Sequence, residues 1–356
     1  MKIGYLTYSL DIKHGYGRFS HDLIASMQEL GVNTTVVTEI DSDHNPFVGR
    51  GWAIFKNFFT IRKILADCDI IHALDGYPYG VLAYFLSLSL GKPFIISALG
   101  TYSIQPLHRP LTKGFLSYIY RQSQKIVCIS GFTATEIKRV IPGLQTVEII
   151  NPGIDLSKFK FNRSVGPTKF ILSVGALKER KGYEFSLEAF AMIVSEFPDL
   201  QYVIVAGESS TYADHLKHIA NKYGILERVL FKFGIQDDEL GHLYRTAELF
   251  ILTPINDGYH LEGFGIVYLE AAAAGLPVIG TLNNGGEDAI QSEINGILVP
   301  QKDAVATAEA LRKILNDPEK KGAMSEASYE WASVHDSARK AHEYEVLYLD
   351  AIARKQ

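Results

Sequence analysis

Four charged residues have the types and spacing to act together: Glu262 and Glu270, and the adjacent cations Arg180 and Lys181. The carboxylates are eight positions apart (270 − 262 = 8), which on one continuous helix would set them roughly 80° apart around the axis. The sequence argues against one helix. Glu262 precedes Gly263, Phe264 and Gly265 and so belongs to a loop. Glu270 falls about one turn into a helix that opens near Ile266 and stops at Gly275, with Pro277 just beyond. The two glycines let a ligand approach the backbone closely, and a helix start carries amides without partners of their own. A carboxylate can accept two hydroxyl hydrogens at once. The pattern suits a polyhydroxylated, partly anionic ligand. Its plain alternative is a capped surface helix with two solvated acids.

The cations lie in Gly175-Ala176-Leu177-Lys178-Glu179-Arg180-Lys181-Gly182, immediately ahead of a helix expected from Tyr183 to Glu196. Positive charge at a helix N-terminus is unfavourable by about 0.3–1 kcal/mol, so Arg180 and Lys181 call for an anion. A diphosphate would supply it and would engage the helix amides as well. Two solvated side chains on a mobile loop are the alternative.

These segments need elements to hold them. The apolar run Leu249 to Leu252, the loop from Thr253, the helix to Gly275 and the run Leu276 to Ile279 read as strand, loop, helix, strand. Ligands of such sheets bind at the carboxyl ends of the strands. Strands are expected at Lys2–Thr7, Thr34–Thr38, Asp69–Ala73, Pro93–Ser97, Lys125–Ile129 and Val147–Ile150, with a helix from Arg18 to Leu30. The alternation restarts with strands at Phe170–Val174, Gln201–Ala206, Val229–Phe233, Leu249–Leu252 and Pro277–Ile279. This predicts an α/β protein of two doubly wound, Rossmann-like domains, 1–157 and 165–336, joined by a linker near residue 160 and sharing a ligand cleft.

Composition agrees with an ordinary globular protein. A chain of 356 residues with 47% hydrophobic and 21% charged residues is long enough for two cores. A net charge of −5 argues against a general nucleic-acid binder. Two cysteines, Cys68 and Cys128, make neither a disulfide framework nor a zinc site, which points to the reducing cytoplasm. Met1-Lys2-Ile3-Gly4-Tyr5 enters a strand directly, without a secretory signal. No apolar run reaches the roughly 20 residues of a membrane span, so the expectation is a soluble or peripheral protein.

The run Glu262-Gly263-Phe264-Gly265, four residues, then Glu270-Ala271 resembles the E-x7-E motif of the retaining glycosyltransferases of family 4, which have the GT-B fold. The resemblance covers most of the chain and is most specific from Phe231 to Val299. It implies transfer of a sugar from a UDP-, GDP- or ADP-linked donor to a hydroxyl of a glycan, a lipid-linked or a small-molecule acceptor; the Arg180–Lys181 pair and the placing of the Asp-x-Asp triplets add the expectation that no metal or other cofactor is needed. It implies that Glu262, helped by the amides of Phe264 and Gly265, orients the donor sugar, that Glu270 holds the ribose, and that Arg180 and Lys181 neutralise the leaving diphosphate. Ala176 stands where many members have Arg, which leaves that charge to Arg180 and Lys181. The last helix, 337–356, is expected to cross back to the first domain. A nucleotide-sugar epimerase of the same fold and a non-catalytic nucleotide-sugar-binding subunit are the alternatives.

Other segments bear on the first domain. Gly15-Tyr16-Gly17-Arg18, with Glu39 twenty-two residues on (39 − 17 = 22), invites a dinucleotide-binding reading. Leu10 to His14 separate these glycines from the strand, though, and Ser20 replaces the third glycine. The loop instead resembles the family's Gly-x-Gly-Arg loop near the donor diphosphate and the acceptor. Ser97-Ala98-Leu99-Gly100-Thr101-Tyr102 matches the loop where many members carry a His beside the reacting sugar, with Leu99 in its place. Thr101, Tyr102 and His72 are the acceptor-side candidates, and a structural role for His72 is the competing one. Asp41-Ser42-Asp43 and Asp67-Cys68-Asp69 recommend a metal site, but the second precedes its strand. Finally, Gly51 to Lys63 and Pro106 to Lys125 mix aromatic and basic residues. They read either as a peripheral contact with the inner face of an anionic membrane or as core aromatics with solvated cations opposite.

Overall fold

A computed structural model of the chain describes residues 1–12, 14–39, 53, 55–159, 166 and 168–354. The chain forms two compact units, Met1–Gly153 with Asp336–Gln356, and Ile154–His335.

The first unit is built on six parallel strands: β1 (Lys2–Thr7), β2 (Asn33–Thr38), β3 (Ile70–Ala73), β4 (Phe94–Ala98), β5 (Lys125–Cys128) and β6 (Val147–Ile149), in the order β2-β1-β3-β4-β5-β6. Around them lie α1 (Gly15–Glu29), α2 (Phe58–Ile64), α3 (Val81–Leu90), α4 (Thr101–His108), α5 (Pro110–Gln122) and α6 (Gly131–Val140). Every residue of β3, β4 and β5 is buried, as expected of central parallel strands covered on both faces. The C-terminal helix (Ser337–Ala353) belongs to this unit. It is capped by Asp336, whose carboxylate accepts the Ala338 amide (3.0 Å), and it buries Tyr344, Leu347, Tyr348 and Ala351. The hydroxyls of Tyr348 and Tyr5, which β1 carries, hydrogen-bond at 3.0 Å.

The second unit repeats the plan with β7 (Lys169–Val174), β8 (Leu200–Ala206), β9 (Val229–Phe233), β10 (Leu249–Ile251), β11 (Val278–Thr281) and β12 (Gly296–Val299), again parallel, in the order β12-β11-β10-β7-β8-β9. Its helices are α7 (Tyr183–Ile193), α8 (Thr211–Lys222), α9 (Asp237–Thr246), α10 (Ile266–Ala273), α11 (Ala304–Leu315) and α12 (Pro318–Ser333). α10 buries Tyr268, Leu269 and Ala271 to Ala273. It ends where Gly275 takes the left-handed conformation (φ 73°), and the Leu276 amide closes back on the Ala271 carbonyl (2.9 Å), a Schellman stop.

In each sheet the chain starts at a central strand, winds to one side, then returns to wind to the other. The reversal falls between β1 and β3 in the first unit and between β7 and β10 in the second. These are the topological switch points, and the loops at their carboxyl ends are where doubly wound sheets hold ligands.

Three expectations are corrected. α1 begins at Gly15 and not at Arg18, so Gly15 and Gly17 lie in its first turn and not in a loop. The strand after Leu276 runs from Val278 to Thr281, because Pro277 has no N–H for the ladder. A sixth strand, β12, completes the second sheet; its four residues open on glycine and gave no periodic signal. Among the described residues no helix is long and apolar enough to cross a membrane.

Candidate active site

The loop after β7 and the loop after β10 meet at the second switch point. The first carries Gly175, Arg180 and Lys181; the second carries Glu262, Gly263, Phe264 and Gly265. They are stitched together by the backbone. The Ile255 amide donates to the Arg180 carbonyl (2.8 Å), and the Thr253 hydroxyl donates to the Gly182 carbonyl (2.8 Å). Gly182 is left-handed (φ 68°), and a Cβ on it would stand 1.8 Å from the Thr253 carbonyl oxygen. Only glycine fits there. Gly175 (φ 154°) receives the Tyr183 hydroxyl on its carbonyl at 3.0 Å.

This frame brings the two cations onto one carboxylate oxygen. Lys181 Nζ lies 2.6 Å and Arg180 Nη1 3.2 Å from Glu262 Oε2. The sequence asks for an anion opposite Arg180 and Lys181, and within the protein that anion is Glu262. Burial by itself would push the Glu262 carboxyl up; Lys181 and then Arg180 outweigh it and hold it below the usual glutamate range. A third loop fixes the backbone beneath. The Gly285 amide donates to the Glu262 carbonyl (2.9 Å), and a Cβ on Gly285 would meet the Gly263 carbonyl oxygen at 1.9 Å. Phe264 is buried.

Both helices that leave these loops start without a side-chain cap. Gly182 precedes α7 and left-handed Gly265 (φ 78°) precedes α10, and neither supplies a capping bond. Two helix starts bare of side-chain acceptors favour an anionic group. Glu270 is half-buried on α10, with its Oε2 accepting the Tyr244 hydroxyl of α9 at 2.8 Å. Glu262 and Glu270 therefore sit in a loop and on a helix, one beside cations and the other beside a phenol.

The first switch point is built differently. Gly17 packs so closely on the preceding loop that a Cβ would stand 2.1 Å from the Asp11 carbonyl oxygen, whereas a Cβ on Gly15 meets nothing. Following β3, Asp75 is buried and accepts the Gly76 amide (2.7 Å) and the Ser103 hydroxyl of α4. Burial pushes the Asp75 carboxyl up to about 7 against those two bonds. The Tyr16 hydroxyl donates to the Leu74 carbonyl, and the Tyr79 hydroxyl donates to Glu39 Oε2 at 2.5 Å. Thr101 and Tyr102 open α4, half-buried and exposed respectively.

The structure places the acceptor-side candidate His72 inside the sheet, in the structural role that competed with it. It is fully buried in β3, its Nδ1 bonded to the Tyr348 hydroxyl and its Nε2 to the Ser97 hydroxyl, each at 2.8 Å. Burial drives it down to about 3, so it is neutral and fully satisfied. Asp67 and Asp69 sit before β3, Asp67 paired with Lys2 Nζ (2.6 Å) and Asp69 accepting the Lys2 amide (2.7 Å). Asp41 and Asp43 fall outside the described residues. Among the described residues no three His, Cys, Asp or Glu side chains gather as metal ligands do.

Sequence reasoning passed over Asp75, Ser103, Tyr244, Thr253 and Gly285. A lone acid that ends an apolar strand, and the Gly285-Gly286 pair after β11, were the available signals.

A separate surface joins the two aromatic and basic segments. Phe55 stacks edge-on against Phe85 of α3 (5.1 Å between centroids), Phe85 meets Phe115 of α5 (6.3 Å), and Tyr84 meets Tyr118 (5.9 Å). Leu111 is 96% and Phe59 82% exposed, and Lys56, Arg62, Lys63, Arg109, Lys113 and Arg121 are exposed beside them. No Asp or Glu occurs between Asp75 and Glu136. Gly51, Trp52 and Ile54 of the first segment lie outside the described residues.

Comparison with known proteins agrees with this architecture. The description Glycosyltransferase Family 4 matches residues 14–158, and Glycosyl transferases group 1 matches residues 156–331. The GDP-mannose-dependent alpha-(1-6)-phosphatidylinositol monomannoside mannosyltransferase of Mycobacterium tuberculosis (strain CDC 1551 / Oshkosh) is 25% identical over 287 residues, 77% of this chain and 74% of that protein. The D-inositol 3-phosphate glycosyltransferase of Corynebacterium glutamicum (strain R) is 33% identical over 226 residues, 62% of this chain and 53% of its own. The crystal structure of Anabaena Alr3699/HepE in complex with UDP and glucose superposes with a TM-score of 0.78, covering 98% of this chain and 99% of that one at 17% identity. The two doubly wound sheets are those of the GT-B class. The chain belongs to the group 1, family 4 glycosyltransferases.

Proposed function

We propose that this glycosyltransferase moves a sugar from a nucleoside diphosphate donor to a hydroxyl acceptor, with retention at the anomeric carbon and without a metal ion. The observation that carries the donor assignment is the convergence of Lys181 and Arg180 on Glu262, 2.6 and 3.2 Å away, beside two helix starts without side-chain caps. When the bond between the anomeric carbon and the phosphate oxygen breaks, negative charge grows on the diphosphate. Lys181, Arg180 and the first amides of α7 and α10 are preorganised to meet it. Glu262 orients the sugar through its hydroxyls, and Glu270, steadied by Tyr244, holds the ribose. The remaining contribution is positioning of the two reactants. Retention rests on the family resemblance.

The relatives' names guide the choice of donors and acceptors to try: a GDP-mannose-dependent enzyme acting on a phosphatidylinositol mannoside, a D-inositol 3-phosphate glycosyltransferase, and a structure holding UDP and glucose. The exposed aromatic and basic surface of α2, α3 and α5 favours an acceptor held at an anionic membrane over a free glycan, and with it work at the cytoplasmic face.

The test is calorimetry and thermal shift against GDP-mannose, UDP-glucose and ADP-glucose and their nucleoside diphosphates, with and without EDTA, followed by turnover. One donor should bind and react, and both should survive EDTA. Glu270→Ala should weaken the nucleotide sugar and its nucleoside diphosphate alike by about ten- to a hundredfold, the worth of a hydrogen bond to a charged group. An obligatory divalent ion would overturn the phosphate assignment. Binding without turnover would turn the reading to a non-catalytic subunit, and interconversion of the free nucleotide sugar to an epimerase.

A further inference from the structure

The candidate donor site contains its own anion, held by the two cations proposed to meet the diphosphate. Lys181 Nζ and Arg180 Nη1 both contact the single oxygen Oε2 of Glu262. The side chains of Glu262 and Lys181 are only 10% and 11% exposed. Charges so far out of water cannot simply part into solvent; each needs a new partner when the other is taken. The backbone of Glu262 is held as well. Its carbonyl is tied to the Gly285 amide at 2.9 Å, and the next carbonyl, Gly263, lies where a Cβ on Gly285 would be. With the backbone held, an exchange of partners falls to the side chains of Glu262, Lys181 and Arg180.

We propose that Glu262 is a built-in competitor for the diphosphate, and that it makes the site prefer the sugar-loaded carrier over the spent nucleoside diphosphate. The inference rests on the donor reading of these two loops. A nucleoside diphosphate alone brings negative charge to Lys181 and Arg180 while Glu262 remains beside them, so one anion loses its partners or two anions share them. A sugar on the diphosphate changes the balance, because its hydroxyls donate to the carboxylate that the cations release. The same residue that orients the donor thus weakens the hold on the product, and clears the site for the next turnover.

The experiment titrates wild type, Glu262→Gln and Glu262→Asp with the nucleotide sugar that wild type uses and with its nucleoside diphosphate. Glu262→Gln keeps the shape and removes the charge. It should bind the nucleoside diphosphate about tenfold or more tightly than wild type and the nucleotide sugar no better, collapsing the preference for the loaded carrier. Glu262→Asp keeps a charge for Lys181 but withdraws it by one methylene, and should shift the nucleoside diphosphate in the same direction by less. Thermal melting establishes that each variant is folded. If Glu262→Gln does not fold, Glu262→Asp alone decides, and no gain in nucleoside diphosphate affinity overturns the proposal. Equal or weaker nucleoside diphosphate binding by folded Glu262→Gln overturns it while leaving the donor reading intact. Wild type that binds neither form of any carrier overturns the donor reading and this inference with it.

Discussion

The two switch points have the same topology and opposite electrostatics. In the second unit the loops after β7 and β10 bring two cations onto one carboxylate and lock the backbone with Gly182, Gly265 and Gly285. In the first unit the corresponding loops bury a carboxyl, Asp75, among hydroxyls and an amide, and burial raises it to about 7. Strand order decides where a ligand can sit, and side-chain charge decides which one. Lys181 and Arg180 suit phosphate, whereas Asp75 and Tyr16 are spent on contacts within the protein.

The comparison breaks most visibly if the cations are removed. Lys181→Ala should lower turnover by about a hundred- to a thousandfold, the usual cost of losing one preorganised group that meets developing charge, and should weaken nucleoside diphosphate binding too. Asp75→Asn should leave that binding unchanged. Steady-state kinetics and calorimetry on the two variants check this, and loss of nucleoside diphosphate affinity in Asp75→Asn would mean that the two edges are not distinct.

Next in size are the glycines that shape each site. Gly182→Ala forces a β-carbon into the Thr253 carbonyl at a left-handed position and should cost on the order of 2–3 kcal/mol in denaturant unfolding. Gly17→Ala, aimed at the Asp11 carbonyl, should cost a similar amount. Gly15→Ala, which meets nothing, should stay within about 1 kcal/mol of wild type and on the stable side. Equal effects at 15 and 17 would contradict the close packing of Gly17 on the Asp11 carbonyl.

Confined to the first unit, and partly cancelling in the wild type, are two opposed pH effects. Asp75 is raised from 3.8 to about 7, so the folded state binds more protons than the unfolded one in that window, and its contribution to stability falls as pH rises from about 4 to 7. His72 is lowered from 6.5 to about 3, so there the unfolded state binds more protons, and its contribution falls as pH drops from about 6.5 to 3. Asp75→Asn removes the first effect alone. Its stability should climb more steeply between pH 4 and 7 than that of wild type, as chemical denaturation across that range would show. An unchanged slope would mean that Asp75 is ionised in the folded protein.

The weakest effect concerns the exposed aromatic surface. Wild type should co-sediment with anionic vesicles at low salt and less so as salt rises. Leu111→Ser with Phe115→Ser should reduce that binding without touching nucleotide affinity. A protein that stays in the supernatant at low salt would make a soluble acceptor the better reading.

The sequence by itself determined the alternation of strands and helices, the loop position of Glu262 and the helix stop at Gly275, because these follow from local periodicity and from what glycine and proline do to a backbone. Arg180 and Lys181 next to a helix start announced a missing anion for the same local reason. What only the tertiary structure decided is which partner each group meets. Glu262 lies eighty-one positions from Lys181 (262 − 181 = 81) and touches it only because β7 and β10 are neighbours. His72 looked available at a strand end, yet Tyr348, 276 positions away, closes over it. Asp75 carried no sequence motif; its burial and its Ser103 bond come from the packing of α4 against the β3 loop. Contacts between distant segments depend on strand order, and strand order is written in no local window of the chain.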